Sequence, residues 1–272
     1  MKLFHIPPGK LAADLIPEGE AGHLVVASEV LKHDEYALFY MQRKRRGDWI
    51  TMDTPAFEGE DISNGDLFNA ITLIQPDEVV LPDVYRDCTG TTDKSWEAYD
   101  FLRQLGYDGQ FMGVAQGGTW SDYLQCASYF AHSGKITTLG IIEEVEEHFD
   151  RTRIEVASIL HSRHPNVQLH FLGASEHLRE LKDRNVQKIV RSCDTAKFVV
   201  WGLNGILQLA PAYAKGLTFL HDHEVYAYPG RQSLGGRKEY FNYTGPYGTI
   251  ERDCVIGAIE SWREYLNRCA AS

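Results

Sequence analysis

Three aspartates and one glutamine are the residues best equipped for chemistry, and each stands at the end of an apolar, β-branched run. Asp53 closes Trp49–Asp53, Asp83 closes Glu78–Asp83 and Asp194 closes Ile189–Asp194. Gln116 ends Phe111–Gln116, inside the run Gly113-Val-Ala-Gln-Gly-Gly118. A carboxylate can carry a proton or act as a nucleophile. The Gln116 amide offers a donor and an acceptor together, which suits the edge of a purine. Gly117 beside it lets a ligand approach the backbone closely. Each residue alone has a plainer explanation, since strand ends are often polar as helix caps and a turn glutamine can be buried and satisfied. Four such groups at successive strand ends point instead to one pocket. The run is not a dinucleotide fingerprint, because it lacks the spacing GxGxxG.

Convergence requires a parallel sheet whose strands all end on the same side. The candidate strands are Leu24–Ser28, Ala37–Met41, Trp49–Asp53, Glu78–Asp83, Phe111–Gln116, Thr137–Ile141, Leu169–Gly173 and Ile189–Asp194. Helical patterns alternate with them over Asp93–Leu105, Ser121–His132, Glu143–Ser162 and Glu176–Arg184, the last capped by Ser175, and Asp253–Cys269 closes the series. About eight strands alternating with helices predict an α/β fold, a (β/α)8 TIM-like barrel forming a single domain over residues 1–272. In such a barrel, catalytic groups gather at the C-terminal ends of the strands.

The composition is that of an ordinary globular chain, with 43% hydrophobic and 24% charged residues. No apolar run is long enough to span a membrane, and the opening MKLFHIPPGK has no secretory h-region. The five cysteines are scattered without CxxC spacing, so a reduced, cytoplasmic chain is expected. The formal net charge of −11 argues against a broadly basic nucleic-acid surface. Local basic runs remain: Arg43, Lys44, Arg45 and Arg46 in one, and Arg231, Arg237 and Lys238 in the Gly-rich, Tyr-rich stretch Tyr226–Gly248. Such runs are most often solvated faces, yet they are also suited to gripping a few phosphates. His221 and His223, with Cys254, suggest an improvised metal site less readily than they suggest exposed turn histidines, so no metal and no cofactor are expected.

The ordered set of motifs resembles the tRNA-guanine transglycosylase superfamily over Trp49 to Gly205. GVAQGG is similar to the strand-turn motif whose glutamine binds the base. Trp49-Ile-Thr-Met-Asp-Thr-Pro-Ala-Phe-Glu58 resembles the family segment LTDSGGFQ, and Glu78-Val-Val-Leu-Pro-Asp83 the strand ending in the base-binding aspartate. Ile136-Thr-Thr-Leu-Gly-Ile-Ile-Glu143 resembles IGGLAVGE, His170-Phe-Leu-Gly173 resembles YLMGVG, and Cys193-Asp194 falls on the FDCV motif, with Asn204-Gly205 keeping the family's Asn-Gly pair. The family's cysteine-rich zinc insertion is missing after Gly205. In its compactness the chain is most similar to phage and bacterial 7-deazaguanine DNA transglycosylases (the DpdA-like group).

The resemblance implies exchange of guanine in a nucleic acid for a 7-deazaguanine base such as preQ0. Asp194 would be the nucleophile and Asp53 the general acid/base. Asp83, Gln116, Gly117, the Leu139 backbone and Phe57 would hold the base. The implied partners are DNA, or alternatively tRNA, and a free 7-deazapurine; a homodimer is an allowed assembly. Two other readings fit the same residues: a hydrolase that passes the glycosyl group to water, and a non-catalytic subunit of a transglycosylase heterodimer.

Overall fold

The computed structural model describes residues 1–55, 61–174, 178–203 and 247–271. Eight parallel strands close in chain order into one barrel. They are β1 (Lys2–His5), β2 (Gly22–Val26), β3 (Trp49–Asp53), β4 (Glu78–Val80), β5 (Gln110–Val114), β6 (Thr138–Ile142), β7 (Gln168–Leu172) and β8 (Ser192–Thr195). β1 pairs with both β2 and β8, which closes the ring. Around it run α1 (Ala12–Leu15), α2 (Ala27–Lys32), α3 (Asp34–Arg45), α4 (Asn64–Ile74), α5 (Cys88–Gln104), α6 (Trp120–His132), α7 (Val145–Phe149), α8 (Arg153–Arg163), α9 (Arg179–Lys182), α10 (Arg184–Ile189), α11 (Lys197–Leu203) and α12 (Thr249–Ala271). The chain is a (β/α)8 TIM-like barrel. No helix among the described residues is long and apolar enough to cross a membrane.

The alternation of side chains along each strand makes two cores. Outward-facing Val79, Phe111, Leu139, Leu169 and Cys193 join the helices in the main hydrophobic cluster. Inward-facing Val80, Met112 and Val114 form a small luminal cluster with Ile142 and Leu172 packed on it. Below that layer the lumen is polar. Glu78 at the start of β4 reaches Thr138 on β6, at 2.6 Å, and Arg191 just ahead of β8, at 2.6 and 2.9 Å. These strands are not neighbours, so the contacts cross the barrel interior. Burial alone would raise the Glu78 pKa, but the bonds from Arg191 and Thr138 outweigh it and hold the carboxyl below its usual value.

Two strand expectations are corrected. Ala37–Met41 is not a strand but the middle of α3. Its buried residues Tyr36, Ala37, Tyr40 and Arg43 follow helical spacing, and the rings of Tyr36 and Tyr40 pack edge to face at 4.8 Å. The first strand is instead Lys2–His5, a short segment ahead of two prolines. The expected helix Glu143–Ser162 is two helices. Asp150 is left-handed at φ 49° and ends α7. A capping box then starts α8, with Thr152 accepting from the Glu155 backbone and the Glu155 carboxylate accepting from Thr152. Glu176–Arg184 likewise gives way to α9 and α10, separated by Asp183 as N-cap. Ser175 lies outside the described residues.

His23, fully buried on β2, shows how tightly the outer wall closes. Its Nε2 lies 3.1 Å from Asp48 Oδ2, and its ring meets Tyr40 edge-on at 5.5 Å. Burial pushes its pKa down from 6.5 to about 4, in spite of Asp48. As pH falls below 6.5 the unfolded chain takes up a proton that the folded chain refuses until about pH 4, so stability falls across that window. The contribution approaches about 1.4 kcal/mol per pH unit. We predict that urea midpoints fall more steeply between pH 6.5 and 4.5 in the wild type than in His23→Gln. Parallel pH profiles for the two proteins would contradict this.

Candidate active site

The C-terminal ends of β3, β4, β5 and β8 carry Asp53, Asp83, Gln116 and Asp194 to the same face of the barrel. Asp53 is the last residue of β3 and shares the parity of inward-facing Thr51, whose hydroxyl donates to Glu78 at 3.1 Å. Its Oδ1 accepts from the Thr54 N–H at 2.8 Å. Asp53 and Asp194 therefore stand at one end of the barrel, not at opposite ends.

Asp83 and Gln116 are in direct contact. The Gln116 Nε2 donates to Asp83 Oδ2 at 2.5 Å, and its Oε1 accepts from the Arg86 N–H at 3.1 Å. The backbone N–H can only donate, so it dictates which way the amide points. Arg86 adopts the left-handed region, at φ 59°, to present that N–H. The loop is pinned to α5: Thr91 bonds both the N–H and the C=O of Val84, and the Ser95 hydroxyl donates to Pro82 O at 2.7 Å. Burial raises the Asp83 pKa, opposed by the bond from Gln116. Gly117 has no room for a side chain, because a Cβ there would lie 2.3 Å from the Tyr123 nitrogen in the first turn of α6. That close approach seats the strand-to-helix turn, whose helix starts with the Thr119/Asp122 capping box.

Asp194 is 4% exposed. Its Oδ1 accepts from His170 at 2.9 Å, and both oxygens lie 3.1 Å from the Gly173 N–H. Gly173 itself is left-handed, at φ 74°. Arg153, fully buried, holds this turn from behind: it donates to the carbonyls of Ile141, Leu172 and Gly173 and to Glu180, and it covers the Phe171 ring at 4.5 Å. Glu143, just past β6, has its pKa raised by burial, offset in part by Lys197, whose Nζ lies 3.7 Å away.

Other expected site residues stand elsewhere. Leu139 lies inside β6, paired with Gly113 and Leu169, and the strand runs on to Ile142. Its place in the ladder sets it below the strand ends that carry the aspartates. The run Arg43–Arg46 stands apart from the aspartates. It ends α3, directly ahead of β3, at the barrel end opposite the aspartates. Arg43 is buried and donates to the carbonyls of Ile16, Pro17, Glu18 and Glu20, while Lys44 pairs with Asp77 at 2.5 Å. Arg45 is exposed, and Arg46 lies 3.8 Å from Glu18. Phe57, Asn204, Gly205, His221, His223, Arg231, Arg237 and Lys238 lie outside the described residues. Cys254 sits partly buried on α12, and no group of three or more metal-ligating side chains is found among the described residues.

His170 and Arg153 were not singled out by sequence reasoning. The first stands in a strand at the parity of the lumen, and the second follows the Thr152 cap; both signals are readable in the sequence. Two surface concavities of about 490 and 670 Å³ lie on the outer helical wall, one lined by Trp120, Gln125 and Arg163, the other by Trp96, Tyr129 and Lys135. Neither is lined by Asp53, Asp83, Gln116 or Asp194, so the barrel end that carries these four residues is the better candidate. Compared with known proteins, the chain matches no family model and no curated protein.

Arg153 offers a direct test of how the mouth is built. Arg153→Met should destabilise the fold by about 3–5 kcal/mol, because it removes the cation paired with buried Glu180 and the hydrogen bonds to the carbonyls of Ile141, Leu172 and Gly173. Urea denaturation reads this, and a loss below about 1 kcal/mol would show that the buried pair does not hold the turn.

Proposed function

We propose that this barrel exchanges a guanine-like base in a nucleic acid, DNA in preference to tRNA, for a 7-deazaguanine such as preQ0. The observation that carries the reading is Asp194: a nearly buried carboxylate at the end of β8, oriented by His170 and Gly173, on the same barrel face as Asp53 and the Asp83–Gln116 pair. Breaking an N-glycosidic bond builds positive charge on the sugar, and a fixed carboxylate can stabilise that charge and then trap it.

In the proposed reaction an Asp194 oxygen attacks C1′ as the C1′–N bond breaks. The bond's electron pair leaves on the base, which takes a proton from Asp53. The incoming base returns its proton to Asp53 while its nitrogen attacks C1′ and releases the Asp194 carboxylate. Atoms and charge balance over the two steps, and the enzyme is regenerated. Asp83 and Gln116 read the purine edge; after their mutual bond, Gln116 keeps one N–H for a ligand, beside the Asp83 carboxylate. A target inside a duplex must be turned out of the stack to reach these groups. The basic residues that would meet the polymer in this reading are Arg231, Arg237 and Lys238.

The test incubates the protein with DNA or with tRNA and labelled guanine or preQ0, and asks which polymer becomes labelled. Asp194→Asn should lose exchange by about a thousandfold or more while keeping base binding, since an amide is neither charged nor nucleophilic. Asp83→Asn should chiefly raise the KM for the base, by about ten- to hundredfold, because it puts a donor where an acceptor stood. Labelling of neither polymer by the wild type, or full exchange by Asp194→Asn, would overturn the reading.

A further inference from the structure

Asp194 is the upper end of a continuous chain of hydrogen bonds inside the barrel. Arg191 Nε lies 3.0 Å from Ser192 Oγ, Ser192 Oγ lies 2.7 Å from His170 Nδ1, and His170 Nε2 lies 2.9 Å from Asp194 Oδ1. His170 and Ser192 are fully buried, and the Phe4 ring closes over the imidazole at 5.7 Å between centroids. The lower end of the chain is anchored, since the Arg191 guanidinium is forked onto Glu78.

The donors in this chain can run in only one direction. An arginine Nε can only donate, so Ser192 Oγ accepts from it. The serine proton then needs an acceptor, and His170 Nδ1 is the one within reach. A carboxylate only accepts, so His170 Nε2 carries the ring proton. If His170 were doubly protonated, the Ser192 hydroxyl would receive two donors and its own proton would have no acceptor, an expensive arrangement in a buried site.

We propose that His170 is a positioning residue for Asp194, locked by Ser192 and Arg191 as the neutral Nε2–H tautomer. This rests on the reading of Asp194 as nucleophile. The bond from His170 and a share of the Gly173 N–H both fall on Oδ1, whereas Oδ2 receives only the other share of Gly173. Oδ2 is thus the oxygen left to attack, and His170 holds the carboxylate plane so that Oδ2 faces the mouth. The relay moves no proton in the reaction: it fixes a direction, and its dipoles all point their positive ends toward the carboxylate.

The test compares His170→Phe with His170→Gln and reads the ring tautomer directly. His170→Phe keeps the bulk and removes the donor, so turnover should fall about ten- to hundredfold with the KM for base and polymer unchanged. His170→Gln can still present an N–H to Asp194 and should recover most of the loss. Nitrogen-15 NMR at neutral pH, with the His170 signal identified by its absence from His170→Gln, should show a protonated Nε2 and a bare Nδ1. The opposite tautomer, a doubly protonated ring, or wild-type turnover in His170→Phe would each overturn the proposal. If His170→Phe does not fold, the tautomer and the His170→Gln rate decide. Failure of the wild type to exchange bases would refute the reading of Asp194 instead, and the NMR tautomer would still settle the relay.

Discussion

A buried carboxylate inside the barrel, Glu78, paired with the partly exposed Arg191, is the constraint on which the rest of the site depends. A closed parallel barrel must fill its lumen with side chains, and a buried charge there is tolerable only when paired and fully bonded. Glu78 meets this demand with Thr51, Thr138 and Arg191, which tie β3, β4 and β6 to the segment entering β8. The Arg191 Nε–H is not used on Glu78 and donates to Ser192. The direction of every bond above it follows, up to the carboxylate at the mouth. Apolar Val80, Met112 and Val114 fill the lumen beside this column.

The mouth itself is built from turns held by buried side chains. Arg153 and Glu180 support Gly173, Thr91 and Ser95 support the loop of Asp83, and the tight seat of Gly117 against Tyr123 supports Gln116. Functional groups placed in this way need little rearrangement when a ligand arrives, which is the condition for electrostatic stabilisation. The overall charge of −11 works against a polyanion at long range, so a nucleic acid would have to be gripped locally. The Arg43–Arg46 run lies at the other end of the barrel, where Arg43 and Lys44 are already engaged and Arg45 and Arg46 are exposed.

The barrel was readable from the sequence because β-branched runs recur between helical patterns, and the aspartates were readable because each closes such a run. The expected and observed strands both number eight, but one expected strand is helical and one observed strand carries no pattern. Ala-Leu-Phe-Tyr-Met in α3 is a short apolar run, which periodicity alone cannot tell from a buried strand. Lys2–His5 is too short to show a pattern, and its strand character comes from pairing on both sides. The break between α7 and α8 was available in Thr152-Arg-Ile-Glu155, a capping-box spacing. What no sequence pattern carries is the chain of contacts from Glu78 to Asp194, which joins residues up to 113 positions apart. The engagement of Arg43 was hidden for the same reason: apart from Asp48, its partners are backbone carbonyls, to which any sequence contributes.

The covalent chemistry assigned to Asp194 can be read on the protein itself. The wild type is mixed with oligonucleotide in the absence of an incoming base, denatured, digested with protease and nuclease, and mapped by mass spectrometry. A nucleotide-derived sugar esterified to the peptide containing Asp194 is the expected result. The same adduct on the peptide containing Asp53, or no adduct under conditions where base is released, would contradict the assignment of Asp194 as the nucleophile.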